Sequence, residues 1–149
     1  MAEALALIAQ QPGARSAALQ GELCWTLAIY AWSLLDLGDP EGAALQANRA
    51  CDTIDTALNN RPQALPQPAA LAYWTGWRCA AVLDDAGTAQ HRAGQTLGVL
   101  NLWVENGAVA LPAYLVPGAT ELLDADDRSP GAAGRYSALK ALLHRRTID

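Results

Sequence analysis

Phenylalanine is absent from this 149-residue chain, and only 17% of its residues are charged. No run of alternating β-branched residues stands in for the missing aromatic, so strand signals are nearly absent and the chain reads as all-α. Its apolar runs fall far short of a bilayer span, which leaves no candidate for a membrane crossing. The opening stretch, MAEALALIAQQPG, has no basic n-region and carries Glu3, so it makes a poor secretory leader and a cytoplasmic protein is expected. Cys24, Cys51 and Cys79 are odd in number and contain no CxxC pair. They are expected as buried thiols in a reducing compartment rather than as a disulfide or zinc framework.

Chemical signatures are also missing. Ser33, Ser129 and Ser137 lack the GxSxG setting of a nucleophile elbow, and GDPEG lacks the GK[ST] ending of a phosphate loop. His91 and His144 have no Cys, Asp or Glu at ligand spacing, so no metal site is expected and both are read as surface residues. Two acidic clusters, Asp84-Asp85 and the DADD stretch Asp124 to Asp127, are read as an exposed helix end and a solvated turn. Neither an enzyme nor a cofactor is expected. A net charge of −5 argues against a nucleic-acid partner, which would need clustered Lys and Arg. That charge is uneven: residues 1–127 carry 14 acidic and 5 basic groups, whereas residues 128–149 carry one acidic and 5 basic groups. The tail, GRYSALKALLHRRTID, is therefore expected as a basic helix that docks on an acidic body.

What is present is helical punctuation. A short helix over 2–10 ends at QQPG, and a long one capped by Ser16 runs to Leu37 and stops at Gly38. Asp39 caps the next, which opens at Pro40, carries Glu41 in its first turn and extends to about Leu58. Three prolines make 59–68 a loop. Pro68 then opens a helix that Gly87 stops, and Thr88 caps another that reaches Asn106 with Gly107 behind it. Pro112 and Pro117 break the stretch that follows into one or two short helices, and Ser129-Pro130 starts the basic final helix. The expected organisation is a single domain: hairpins over 16–58 and 68–106, then a broken helix and the tail over 108–149.

The stretch LAIYAWSLLDLGDPEGAALQANRA resembles a tetratricopeptide repeat. Leu27, Tyr30-Ala31 and Leu34 stand at the packing positions of its first helix, and Ala43 and Ala50 at the small positions of its second. Ala47 replaces a usual aromatic, and Asp55 stands where a proline commonly closes the repeat. A weaker second copy set on Gly87 puts Gly76, Cys79-Ala80 and Leu83 at the first-helix positions, with Ala93 one residue late. The two glycines are 49 residues apart, against a period of about 34 in that family. The likeness covers roughly residues 23–106, and an irregular helical bundle is the competing description.

In the tetratricopeptide family the first helix of each repeat lines a concave groove. The resemblance places Trp25, Ala28, Trp32 and Leu35 there from the first unit, and Trp74, Trp77, Ala81 and Asp84 from the second. Spacing supports part of this: Trp25 and Trp32 lie two turns apart on one side, and Trp74 and Trp77 are neighbours on theirs. Tryptophan combines a large apolar face with a polar N–H, which suits a binding surface, but a stripe at helical spacing also suits a core. The expectation is a non-catalytic protein-interaction module whose groove, lined by Trp25, Trp32, Trp74, Trp77 and Asp84, takes a peptide or helix. A small-molecule-binding or regulatory helical domain, and a homodimer joined through the tryptophan face, are the alternatives.

Overall fold

A computed structural model describes residues 13–57, 65–128 and 134–148 of the chain. It is all-α, with no strand among the described residues. Helices α1 (Gly13–Asp36) and α2 (Pro40–Ala57) form one antiparallel hairpin, and α3 (Pro66–Val82) and α4 (Ala86–Glu105) form a second. A 3-10 turn (Ala113–Leu115) leads into α5 (Val116–Asp127), and α6 (Ser137–Ile148) closes the chain. The main core joins both hairpins to the C-terminal elements. Cys24, Leu27, Cys51 and Ile54 from the first pair meet Tyr73, Leu97 and Leu100 from the second, with Leu115, Leu122, Leu139 and Leu142 laid over them. A smaller cluster of Ala31, Ala43, Ala47 and Cys79 lets the first three helices approach closely. The small residues that carried the repeat likeness in α2, Ala43 and Ala50, are fully buried, and so are Ala47 and Ile54.

The turn after α1 is as the sequence predicts. Gly38 sits at φ +82°, a conformation that costs it no Cβ clash, and Asp39 Oδ1 accepts from the Gly42 N–H at 2.9 Å. The turn after α3 is displaced from expectation. Helix α3 ends at Val82, Asp84 takes the left-handed conformation at φ +57°, and Asp85 caps α4 by accepting from the Thr88 N–H. Gly87 lies inside α4 rather than ending α3, and Thr88 is the capped residue rather than the cap. The reason is chemical: Asp is one of the few side chains that tolerates the left-handed region, and a second Asp behind it supplies the acceptor. The two turns then share one hydrogen-bond pattern. Gly38 and Asp39 donate to Leu35 and Leu34, and Asp84 and Asp85 donate to Ala81 and Ala80, each 46 residues further along (84 less 38). Registered on these turns, the hairpins are offset by 46 residues, not by the 49 that separate Gly38 from Gly87. A third copy of the pattern ends α4, where Gly107 and Ala108 donate to Val104 and Trp103.

Other boundaries move for similar reasons. Ser16 lies within α1 and does not cap it. Pro66, not Pro68, opens α3, because both prolines fit a first turn whose N–H groups have no intrahelical partner. The DADD stretch, read as a solvated turn, is the last turn of α5 and stays exposed except at Asp126; there Asp126 pairs with Arg135 at 3.0 Å and Asp127 with Lys140 at 2.7 Å. These two pairs dock the basic tail as its charge suggests. The described part of the final helix begins at Ser137, and its N-terminal acceptor comes from another element: Asn101 Oδ1 of α4 accepts from the Leu139 N–H at 3.0 Å. The expected helix over 2–10, most of the 59–68 loop and a helix start at Ser129-Pro130 lie outside the described residues.

Candidate functional site

Three of the four groove tryptophans make ring contacts, in two separate pairs. Trp32 of α1 and Trp74 of α3 stack with ring centroids 5.2 Å apart at 52°. Trp32 Nε1 donates to Thr75 Oγ1 at 2.8 Å, and that buried hydroxyl donates in turn to the Leu71 carbonyl at 2.6 Å. The α1 indole is thus held by the backbone of α3 through a single threonine. Trp25 lies edge-on to Tyr114, with centroids 5.7 Å apart at 89°. The Tyr114 hydroxyl accepts from Gln67 Nε2 at 2.8 Å, and burial holds its pKa above the usual phenol value although that hydrogen bond pulls the other way.

The chain's own C-terminal segment touches a tryptophan of each pair. Tyr114 of the 3-10 turn sits on Trp25, and Gly118 of α5 lies against the Trp74 indole so closely that a Cβ there would come within 3.0 Å. Only glycine fits under such a ring. Beneath it Trp74 Nε1 is buried with no hydrogen-bond partner. Trp25, Trp32, Trp74 and Trp77 are all partly buried rather than open groove walls. Trp77 points elsewhere: it lines a shallow depression with Pro117 and Glu121, and a second cavity on the α4 side. Asp84 joins neither pair. It is exposed in the α3–α4 turn, and its backbone ends the helix. The 46-residue registration explains the misplacement, because it matches Trp74 to Ala28 and Arg78 to Trp32, breaking the pairing that the glycine-based alignment produced.

The surface that does remain open runs along the outer side of α1. Trp25, Ile29, Tyr30, Ser33 and Leu37 border a trough of about 480 Å³, with no charged residue in its lining. Ile29 is 48% exposed, Tyr30 39% and Leu37 81%. Tyr30 was expected to pack inward as the large residue of the repeat; it faces solvent instead. The spacing of 25, 29, 33 and 37 marks one continuous face, and α1 therefore carries apolar residues on two sides, one used by the core and one not. The tryptophans are the more conspicuous signal in the sequence, but the i, i+4 recurrence of Trp25, Ile29, Ser33 and Leu37 marks this second face as well.

The thiols are inert. Cys51 Sγ donates to the Ala72 carbonyl at 3.4 Å and Cys24 Sγ to the Pro68 carbonyl at 3.6 Å, and burial pushes Cys51 up to about 12 and Cys79 up to about 11. A buried polar contact elsewhere ties the hairpins: Tyr73 donates to Asp55 Oδ1 at 2.5 Å, and burial followed by that bond pushes the phenol up. Among the described residues there is no group of three His, Cys, Asp or Glu placed to hold a metal ion, and no helix long and apolar enough to cross a membrane. His91 and His144 are both exposed. Comparison with protein-family models, curated proteins and solved structures gave no match.

Proposed function

We propose that this chain is a non-catalytic protein-interaction module of tetratricopeptide-like hairpins that takes a peptide or an amphipathic helix along the outer side of α1. The observation that carries the reading is the uncharged apolar face running from Trp25 to Leu37. A face of this kind adds nothing to the core and favours association, and its i, i+4 spacing suits a helix or an extended apolar segment laid along it. The stacked Trp32 and Trp74 then act as the support that fixes α1, and Trp25 is the one tryptophan shared between support and surface.

A second copy of the chain is the other occupant this face suits, because an uncharged strip can pair with itself without like-charge repulsion although the whole chain carries −5. The test is a paired substitution, Ile29→Ser with Leu37→Ser. Both side chains are largely exposed, so folding stability should stay within about 0.5 kcal/mol. Peptides selected by display against the parent protein should lose binding to this variant in calorimetry, and any dimer seen by sedimentation should dissociate. Selected peptides that bind parent and variant equally, with no change in assembly, would remove α1 from the reading.

A further inference from the structure

The strip from Trp25 to Leu37 is uncharged, but the two ends of the face that carries it are not. Ile29 lies at the middle of that face, and Glu22 and Asp36 stand seven residues before and after it in α1. Seven residues make about two turns, so all three side chains leave the helix in nearly one direction, with the carboxylates about 10 Å to either side of Ile29. Both acidic residues are exposed, and neither side chain has a hydrogen-bond or ion-pair partner among the described residues. No Lys or Arg lies between them in the sequence, and Arg49, the one cation of α2, donates to Gln46 of its own helix at 3.4 Å. Asp36 is also the last residue of α1, where the negative end of the helix dipole works against a carboxylate, and Asp39 and Glu41 follow close behind. The two aliphatic hydroxyls of the trough are turned back on their own helix: Thr26 donates to the Glu22 carbonyl at 2.9 Å and Ser33 to the Ile29 carbonyl at 3.1 Å. The face therefore has an apolar middle and an unanswered negative charge at each end.

We propose that the occupant of this surface is an amphipathic helix with a basic residue at each end of its apolar stripe. The proposal rests on the reading of α1 as a partner surface and adds the partner's charge. A helix laid along α1 shares its rise per residue, so cations about two turns to either side of its central apolar residue reach Glu22 and Asp36. Because both ends of the face are acidic, such a helix fits in either direction. A second copy of the chain fits less well. Its strip meets no like charge in the middle, but its ends do. Paired in parallel, Glu22 faces Glu22 and Asp36 faces Asp36; paired antiparallel about Ile29, each Glu22 faces the partner's Asp36. An acidic partner meets the same repulsion, strengthened by the excess of acidic over basic groups in residues 1–127. The end charges select the partner, and the apolar middle supplies the affinity.

Three synthetic helical peptides of about 20 residues test the pairing. They share one apolar i, i+4 stripe and differ only two turns to either side of its centre, where they carry lysine, glutamine or glutamate. Calorimetric titration into the full chain should find the lysine peptide about fivefold tighter than the glutamine peptide, and the glutamate peptide weaker than either, as two exposed ion pairs imply. That order should collapse at about 1 M salt. It should also collapse in Glu22→Gln with Asp36→Asn, whose melting temperature should equal or exceed that of the parent because neither carboxylate has a partner to lose. Ile29→Ser with Leu37→Ser should weaken all three peptides. Equal binding of the three to the parent, lost in Ile29→Ser with Leu37→Ser, overturns the charge pairing and leaves the α1 surface standing. Binding of none, or binding indifferent to that paired substitution, removes the surface and the pairing together. A lysine preference that survives Glu22→Gln with Asp36→Asn overturns the proposal, and so does a stable dimer through this face that the lysine peptide does not dissociate.

Discussion

Trp32→Ala separates a supporting tryptophan from a contacting one. The indole is partly buried, stacked on Trp74 at 5.2 Å, and hydrogen-bonded to Thr75 at 2.8 Å. Truncating a fully buried tryptophan costs about 3–5 kcal/mol, and partial exposure places this one near the lower end, about 3 kcal/mol. Within that total the ring pair contributes about 0.5–1.5 kcal/mol and the N–H bond a similar amount, and the remainder is lost packing. Trp32→Phe keeps a ring against Trp74 but removes the donor, so it should cost about 1 kcal/mol; Thr75 still has the Leu71 carbonyl for its own proton. Urea unfolding followed by circular dichroism is the assay, with a lower midpoint and an unchanged slope expected. A double-mutant cycle with Thr75→Val should return a coupling of at least about 0.5 kcal/mol. A loss below about 1 kcal/mol for Trp32→Ala would show that the indole is not holding α1 to α3, and the tryptophan groove would again be the better site.

Three further outcomes follow from the same packing. Gly118→Ala should lose about 1–3 kcal/mol by overpacking against Trp74, despite the helix propensity gained by the methyl group, and should alter the near-ultraviolet tryptophan dichroism; equal or higher stability would refute the close approach. Hydrogen bonds from the Thr88 hydroxyl and then the Thr88 N–H hold the Asp85 pKa below the usual carboxylate value, so its stabilisation is present above the ordinary carboxyl range and is lost as pH falls through the depressed value. The melting-temperature difference between parent and Asp85→Ala should therefore be largest near neutral pH and shrink in acid, and a constant difference would argue that the ionised cap contributes nothing. Removing residues 137–149 should lower the melting temperature and raise binding of a hydrophobic dye, because Leu139 and Leu142 are buried in the main core; an equally stable truncated protein would show that the tail is dispensable.

Helical residues whose signals are local were legible in the sequence. Gly38, Asp39 and Pro40 carry a helix end, a cap and a first-turn proline within three positions, and all three behave as chemistry requires. LDDAG offered two ways to turn, and glycine was the more familiar choice; the structure uses Asp84 because Asp85 then caps through Thr88. That slip of three residues misaligned the second hairpin and brought Asp84 into the expected site. The aromatic pairs were half visible, since helical spacing shows which indoles share a face. It does not show what lies on that face, and the contacts of Tyr114 with Trp25 and of Gly118 with Trp74 join segments far apart in the chain. The ion pairs of Asp126 with Arg135 and of Asp127 with Lys140 were invisible for the same reason, since they form only once the tail is folded back.

The bond from Leu139 to Asn101 makes the last helix a dependent of the fourth. At 12 residues α6 is too short to persist alone in water, and Tyr136, the residue before its first turn, has no side-chain acceptor suited to capping. The acceptor that starts it therefore arrives only when α4 is in place, so α6 winds up on a template already made. Slow exchange of the Leu139 proton would then report, at one amide, that α6 has docked on α4.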